Sequence, residues 1–145
     1  MRFEWQCLTY CLMRNHFHLV VRTPEMTLAA GMQGLKSLHA QRFNRRHGLT
    51  GHLFQGRYHS VRPASDAQLL EELRYVALNP VRARLRTHAL DWPWSGHREL
   101  VGKTAPGFVD VRAVWGMFDP SDAGAGPARY AAFVEDGIAM STAAA

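Results

Sequence analysis

The pattern of apolar positions near the start of the chain predicts a pair of β-strands. Residues 5–22 (WQCLTYCLMRNHFHLVVR) contain two runs of apolar and β-favouring residues, separated by Arg14-Asn15, which fits a two-residue turn. Both faces of each run carry apolar side chains, so we expect a sheet that is covered on both sides. Cys7 and Cys11 have no second Cys or Cys/His pair to complete a zinc site, and we expect them to be buried thiols.

A helix is predicted after this strand pair. Apolar residues recur at helical intervals from Leu28 to Phe43, with Thr27 as the expected N-cap and Gly48 as the expected end. Residues 51–63 (GHLFQGRYHSVRP) then combine glycines, aromatic residues and a closing proline, which predicts a strand with irregular edges.

A second helix is predicted from Ser65, which forms a capping box with Gln68, to Pro80, because the residue before a proline disfavours the helical conformation. A third, shorter helix is predicted in residues 81–90 (VRARLRTHAL).

The remainder is expected to be less regular. Residues 91–95 (DWPWS) predict a turn that anchors two indoles, and after residue 102 the chain becomes rich in Gly, Ala and Pro. One short helix is predicted at residues 130–137, and the last residues, 141–145, are expected to be frayed.

The net charge of +5 is unevenly distributed, because no acidic residue lies between Glu25 and Asp66. That stretch contains Lys36, Arg42, Arg45, Arg46, Arg57 and Arg62. One-sided charge of this kind favours nucleic-acid binding through counterion release, and the alternative is a solvated basic face without a partner. No apolar run reaches membrane-spanning length and no signal segment opens the chain, so we expect a cytoplasmic protein without a membrane partner.

A His-x-His pair is the first chemical signal. His16 and His18 flank Phe17, and on a strand residues i and i+2 point to the same face. Two imidazoles that project side by side can hold one divalent ion. Because the chain contains eight histidines, two unrelated surface histidines are the alternative interpretation.

A tyrosine on the second predicted helix is the second signal. On a helical wheel, Tyr75 lies nearly opposite the apolar stripe, with Asn79 beside it one turn later. The stripe consists of Leu69, Leu70, Leu73, Val76 and Ala77. A structural tyrosine would more often lie within such a stripe, although an amphipathic tyrosine that covers the surface is the alternative.

A single metal site would account for His16, His18 and Asn79 together. Mg²⁺ and Mn²⁺ accept an amide oxygen and water, and two histidines favour Mn²⁺ in affinity. Such a site leaves open positions for phosphate oxygens.

Several blocks of sequence, in order, resemble one protein family. These are YCLMRNHFHLVV, LAAGMQGLKSLHAQRFNRRHG, GHLFQGRYHSV, LRYVALNPVRA and WPWSGHREL. They resemble the single-tyrosine HUH transposases, and most closely the REP-associated tyrosine transposases of bacteria. The resemblance covers about residues 5–101, which we interpret as an N-terminally short catalytic domain in residues 1–101 followed by an extension in residues 102–145.

The resemblance implies an α+β fold of the ferredoxin-like type, an antiparallel sheet with helices on one face, here without the first strand and helix. It implies metal-dependent cleavage and rejoining of single-stranded DNA near palindromic hairpins, and a possible homodimer. Position by position, it makes His16 and His18 the metal ligands, Asn79 the third ligand and Tyr75 the nucleophile that forms a 5′-phosphotyrosine. Tyr58 is the rival nucleophile.

Six residues are the candidates for DNA contact, namely Lys36, Arg42, Arg45, Arg46, Arg57 and Tyr58. Two further functions stay open beside the enzyme. One is a hairpin-DNA-binding module that does not cleave, and the other is a truncated remnant that does not fold stably.

Overall fold

The computed structural model describes residues 3–24 and 26–143, and the side chains of these residues up to 138. Within this part of the chain the elements are β1 (Gln6–Leu12), β2 (Phe17–Arg22), α1 (Leu28–His47), α2 (Asp66–Arg82), a 3-10 turn (Ala89–Asp91), α3 (His97–Leu100), α4 (Val111–Phe118) and α5 (Gly126–Ala143). The α+β class is confirmed, with a two-stranded antiparallel sheet among the described residues. The wider ferredoxin-like arrangement stays a prediction.

The chain divides into two compact units. The first comprises residues 1–5 and 23–62, and the second comprises residues 6–22 and 63–145. The functional division into residues 1–101 and 102–145 stays a prediction.

In the first unit, α1 begins after Thr27 and ends before Gly48, as the sequence indicated. Gly48 adopts the left-handed conformation (φ 62°), and its N–H donates to the Asn44 carbonyl. Thr27 occupies the predicted N-cap position, but its side chain makes no capping hydrogen bond. The Thr27 hydroxyl instead accepts a hydrogen bond of 3.0 Å from the indole of Trp5.

The strand predicted in residues 51–63 is not formed, and the segment is an irregular loop. Its backbone carbonyls bond to side chains of α1 instead of a neighbouring strand. Lys36 Nζ donates to the Gly56 carbonyl (2.5 Å), and Asn44 Nδ2 donates to the Gly51 carbonyl (3.0 Å). Gly51 also has a φ of 97°, which lies outside the β region. The aromatic residues of this segment therefore pack within a loop and not within a strand. For example, Nζ of Lys36 lies 4.8 Å from the centre of the Phe54 ring.

The second unit begins with the predicted hairpin. β1 and β2 pair antiparallel from Gln6↔Arg22 to Leu12↔Phe17, with a β-bulge between Cys7 and Thr9. The Met13 N–H donates to the His16 carbonyl (2.9 Å), so Arg14-Asn15 forms the turn and this prediction is confirmed.

The two cysteines are free, with Cys11 fully buried and Cys7 half-buried. Burial is the main cause that raises the pKa of each thiol to about 11. Both thiols are therefore protonated at neutral pH, and the predicted burial is confirmed for Cys11 while Cys7 is only half-buried.

The other edge of β1 is covered by irregular segments rather than by a regular strand. The Leu12 N–H donates to the Trp94 carbonyl (2.8 Å), the Gly96 N–H donates to the Tyr10 carbonyl (2.9 Å), and the Asp110 N–H donates to the Cys7 carbonyl (2.8 Å). These bonds satisfy edge groups that would otherwise be open to pairing with another chain.

Helix α2 has the predicted N-cap but is longer than predicted. The Ser65 hydroxyl accepts from the Gln68 N–H (3.2 Å), while the Gln68 side chain accepts from the Ala64 N–H (2.8 Å). The prediction that the helix stops at Pro80 was wrong, because it continues to Arg82. The ring of Pro80 is buried, and the Leu85 N–H donates to the Pro80 carbonyl (2.9 Å), so packing and later hydrogen bonds offset the missing N–H.

The third helix predicted in residues 81–90 does not form. Arg84 adopts a φ of 56°, which ends the helical backbone, and only the 3-10 turn Ala89–Asp91 follows. The Trp92 indole is buried and donates to the Leu12 carbonyl (2.9 Å), whereas Trp94 is 61% exposed. Residues 91–95 therefore anchor one indole rather than two.

The C-terminal region is more helical than its composition indicated. α4 was not predicted, although Asp110 caps it by accepting from the Ala113 N–H (3.0 Å). α5 extends well beyond the predicted residues 130–137 on both sides. Of the end that was expected to fray, residues 144 and 145 lie outside the described part of the chain.

One apolar core joins the elements of the second unit. Its fully buried members include Leu8, Leu73, Leu78, Leu100, Val114, Tyr130 and Val134. Among the residues that the structure describes, no helix has both the length and the apolarity needed to cross a bilayer.

Candidate active site

The hairpin turn places two imidazoles side by side. His16 immediately precedes β2 and His18 lies within it, and their ring centres are 5.1 Å apart with nearly perpendicular planes. The turn and the strand register therefore bring the His-x-His pair together as the sequence predicted.

Helix α2 brings Tyr75 to the same place. Leu73, Val76 and Ala77 are buried, which confirms the apolar stripe, whereas Tyr75 is 39% exposed. The centre of the Tyr75 ring lies 5.5 Å from that of His18, again nearly perpendicular. One strand and one helix of the same unit thus position a phenol beside the imidazole pair.

Asn79 and His18 form the buried end of this site. Asn79 is 8% exposed, and Nε2 of His18 is buried without a well-formed hydrogen bond to any described residue. Burial is the largest cause that lowers the pKa of His18, and the charge of His16 lowers it further, while the Asn79 side chain partly opposes the shift. His18 is therefore neutral at pH 7, and among the described residues Asn79 is the polar side chain that interacts with its ring.

His16 is held by its neighbour in the turn. The Oδ1 atom of Asn15 lies 2.8 Å from Nδ1 of His16. Because a carbonyl oxygen only accepts, Nδ1 carries the proton in this bond and Nε2 keeps a free electron pair when the ring is neutral.

A shallow cleft of about 340 Å³ opens beside Tyr75. Its lining consists of Glu71, Glu72, Tyr75 and Arg82. The guanidinium carbon of Arg82 lies 4.9 Å from the centre of the Tyr75 ring, at cation–π distance. Glu71 is paired with Arg74 at 2.5 Å, so its charge is largely engaged there.

The donor set limits the metals that the site fits. Within the described residues, no group of three or more His, Cys, Asp or Glu side chains is arranged to hold an ion. The available donors are the two imidazoles and the amide oxygen of Asn79, with Nε2 of His18 buried beside Asn79. Such donors fit a divalent ion that keeps water or phosphate oxygens as further ligands.

The candidate DNA contacts belong to the first unit. Lys36, Arg42, Arg45 and Arg46 lie on α1, while Arg57 and Tyr58 lie in the loop that follows. Arg42, Arg45, Arg46 and Arg57 are exposed, and Tyr58 is half-buried. The rival nucleophile Tyr58 is thus in a different unit from the His-x-His pair.

Rings alternate with these cations on α1. The ring centres of His39 and Phe43 are 6.2 Å apart, those of Phe43 and His47 are 4.4 Å apart, and those of His39 and Phe54 are 6.0 Å apart. Helix α1 therefore carries neighbouring rings as well as exposed cations, which is a composition that suits single-stranded nucleic acid.

Sequence reasoning did not find Arg82 or Asn15. Arg82 lies seven residues after Tyr75 and three after Asn79, which is the spacing of one helical face. That signal was present, but the helix was expected to stop at Pro80. Asn15 was predicted only as a turn residue, and a side-chain bond to the next residue has no periodic signature.

Comparisons with known proteins place the chain in a family. A family model described as IS200-like transposase matches residues 1–78, which is more than half of the 145 residues. The match includes the hairpin, α1 and most of α2, with His16, His18 and Tyr75, and ends one residue before Asn79. The comparisons with curated proteins and with solved structures found no match. The chain belongs to the IS200-like transposase family.

Proposed function

We propose that this transposase cleaves and rejoins a single DNA strand through a covalent bond to Tyr75. The family indicates DNA transposition and therefore DNA binding. The observation that carries the finer proposal is the 5.5 Å separation between the Tyr75 and His18 rings within one unit of one chain. In this arrangement an exposed phenol is available as the nucleophile, and two imidazoles with a buried amide are available as metal ligands.

His16, His18 and Asn79 are the proposed ligands of a Mg²⁺ or Mn²⁺ ion. The bond from His16 Nδ1 to Asn15 leaves Nε2 available, and the buried Nε2 of His18 has no other partner among the described residues. When bound, such an ion supplies positive charge to an oxygen of the scissile phosphate.

The chemical step is a transesterification. The Tyr75 oxygen attacks phosphorus, an O–P bond forms, and the bond from phosphorus to the 3′-oxygen breaks. The phenolic proton passes to water and the departing 3′-oxygen takes up a proton, so the products are a 5′-phosphotyrosine and a free 3′-hydroxyl. Attack by a 3′-hydroxyl of another strand reverses the step and rejoins DNA, because the phosphotyrosine keeps the bond energy of the phosphodiester.

The basic and aromatic surface of α1 is the proposed holder of the strand or hairpin. Lys36, Arg42, Arg45, Arg46 and Arg57 would contact phosphates, and Tyr58 would stack on an unpaired base. Because Tyr75 and His18 meet within one chain, the proposed site does not need a second copy to supply the tyrosine. Homodimerisation stays a prediction.

The test is the formation of a covalent protein–DNA product. A labelled single-stranded hairpin oligonucleotide is incubated with the protein and Mn²⁺, then resolved on a denaturing gel. Wild-type protein and Tyr58→Phe are expected to form the adduct, while Tyr75→Phe forms none. An adduct that persists in Tyr75→Phe and disappears in Tyr58→Phe would show that the nucleophile is assigned to the wrong residue.

The second candidate function is a DNA-binding module that does not cleave. It is favoured by the cations concentrated on α1, because these residues are separate in sequence from those of the proposed site. Hairpin binding that weakens with salt, without any adduct in the wild-type protein, would favour this function over the enzyme.

A further inference from the structure

We propose that Arg82 binds the phosphate that Tyr75 attacks, and that it is a catalytic residue of this site. The inference rests on the proposed function and adds a second phosphate-binding group, which belongs to the same helix as the nucleophile.

Arg82 lies on the same face of α2 as the proposed nucleophile. Tyr75, Asn79 and Arg82 follow one another at helical spacing along α2, and the guanidinium carbon is 4.9 Å from the Tyr75 ring centre. A phosphate in contact with the phenolic oxygen therefore lies within reach of the guanidinium N–H groups.

The charge of Arg82 is available to bind a phosphate. Arg82 is exposed, and among the described residues it takes part in no ion pair with a carboxylate. The nearby Glu71 is paired with Arg74 instead. Tyr75 and Arg82 line the same open cleft, so a strand can reach Arg82 without breaking an ion pair of this residue among the described residues.

The chemistry of a guanidinium group also suits the binding of a phosphate. Its planar N–H fork donates two parallel hydrogen bonds to a phosphate. Stacking on the phenol holds the group over the ring before DNA arrives, so less side-chain freedom is lost on binding. Two non-bridging oxygens held by Arg82 would orient phosphorus toward Tyr75 and stabilise negative charge as the O–P bond forms and the P–O3′ bond breaks.

The experiment compares the rate of adduct formation at saturating DNA in Arg82→Ala, Arg82→Lys and Arg84→Ala. Arg84 is the matched control, since it is exposed, carries the same charge and lies two residues further on. We expect Arg82→Ala to slow adduct formation about 100-fold, with Arg82→Lys intermediate and Arg84→Ala close to wild type. The affinity for DNA should fall more in Arg82→Ala than in Arg84→Ala, because only Arg82 contacts the phosphate.

A second substrate separates phosphate binding from support of the tyrosine ring. A methylphosphonate at the cleavage position lacks one charged non-bridging oxygen, so the penalty of Arg82→Ala should shrink to about threefold on it. An equal penalty on both substrates would mean that Arg82 only supports Tyr75, and a rate equal to that of Arg84→Ala would mean that Arg82 has no role. Both results overturn the inference while wild-type protein still forms the adduct, whereas absence of the wild-type adduct is failure of the proposed function itself.

Discussion

At the level of single residues, the proposed site depends on adjacent residues that determine the protonation of each imidazole. Asn15 occupies the hairpin turn and also accepts the Nδ1 proton of His16. Burial keeps His18 neutral, since its pKa is lowered mainly by desolvation. One turn residue therefore fixes the proton position of the His16 ring, and one buried position keeps the His18 ring neutral.

The role of Asn15 leads to a test of metal binding without DNA. Removal of its acceptor in Asn15→Ala frees the His16 ring to rotate and to change tautomer, so we expect the affinity for Mn²⁺ to fall about tenfold. Asn15→Asp keeps an acceptor and should retain the affinity. Titration calorimetry measures both variants, and an unchanged affinity in Asn15→Ala would contradict the proposed orientation of His16.

At the scale of elements, the hairpin and α2 supply the proposed chemistry, while α1 supplies cations and rings. The hairpin turn, the His-x-His pair and the exposed face of α2 were predictable because each depends on a local period or on a two-residue turn. Residues 51–63 were not, because a strand needs a partner, and here the loop carbonyls bond to side chains such as Lys36 and Asn44. Local sequence does not reveal which long-range partner a backbone group finds.

Arg82 illustrates the same limit on the candidate site. A proline normally ends a helix, so the predicted face stopped before this residue. The buried ring of Pro80 and the hydrogen bonds after it carry α2 onward to Arg82, and both depend on packing that no single sequence window contains.

The basic face of α1 has a salt-dependent consequence. Arg45 and Arg46 are exposed in its last turn, and loss of each phosphate contact should reduce the slope of log affinity against log salt by about 0.7 for a single strand. For the double variant Arg45→Gln/Arg46→Gln we expect a reduction of about 1.4. Fluorescence anisotropy with a labelled oligonucleotide measures the slope. Arg112→Gln, an exposed arginine on α4, should leave it unchanged, and an equal loss in that variant would argue against a DNA-binding face on α1.

At the scale of the whole molecule, the second unit combines the proposed site with a core that contains a titratable group. His97 is 3% exposed, its Nδ1 lies 3.2 Å from the Tyr130 hydroxyl, and burial lowers its pKa from 6.5 to about 4. The unfolded chain therefore binds a proton at a higher pH than the folded protein does.

This difference predicts acid sensitivity of the fold. The stabilisation that depends on a neutral, buried His97 is fully present above pH 6.5 and is lost progressively as the pH falls toward 4. At pH 4 this loss lowers the free energy of unfolding by about 3 kcal/mol. Urea unfolding at a series of pH values measures the slope. His97→Phe should flatten the slope between these pH values whatever its absolute stability, while His88→Ala, at an exposed histidine, should retain it. A slope that persists in His97→Phe would assign the acid sensitivity to other groups.

The most direct test of the central claim is to locate the residue that carries DNA after the reaction. The protein is incubated with a single-stranded hairpin and Mn²⁺, digested with trypsin and nuclease, and analysed by mass spectrometry. Cleavage after Arg74 and Arg82 yields the peptide YVALNPVR, which contains only one tyrosine, Tyr75. We expect a nucleotide phosphate on the tyrosine of this peptide, and a nucleotide attached instead to the peptide that begins at Tyr58 would show that Tyr75 is not the nucleophile.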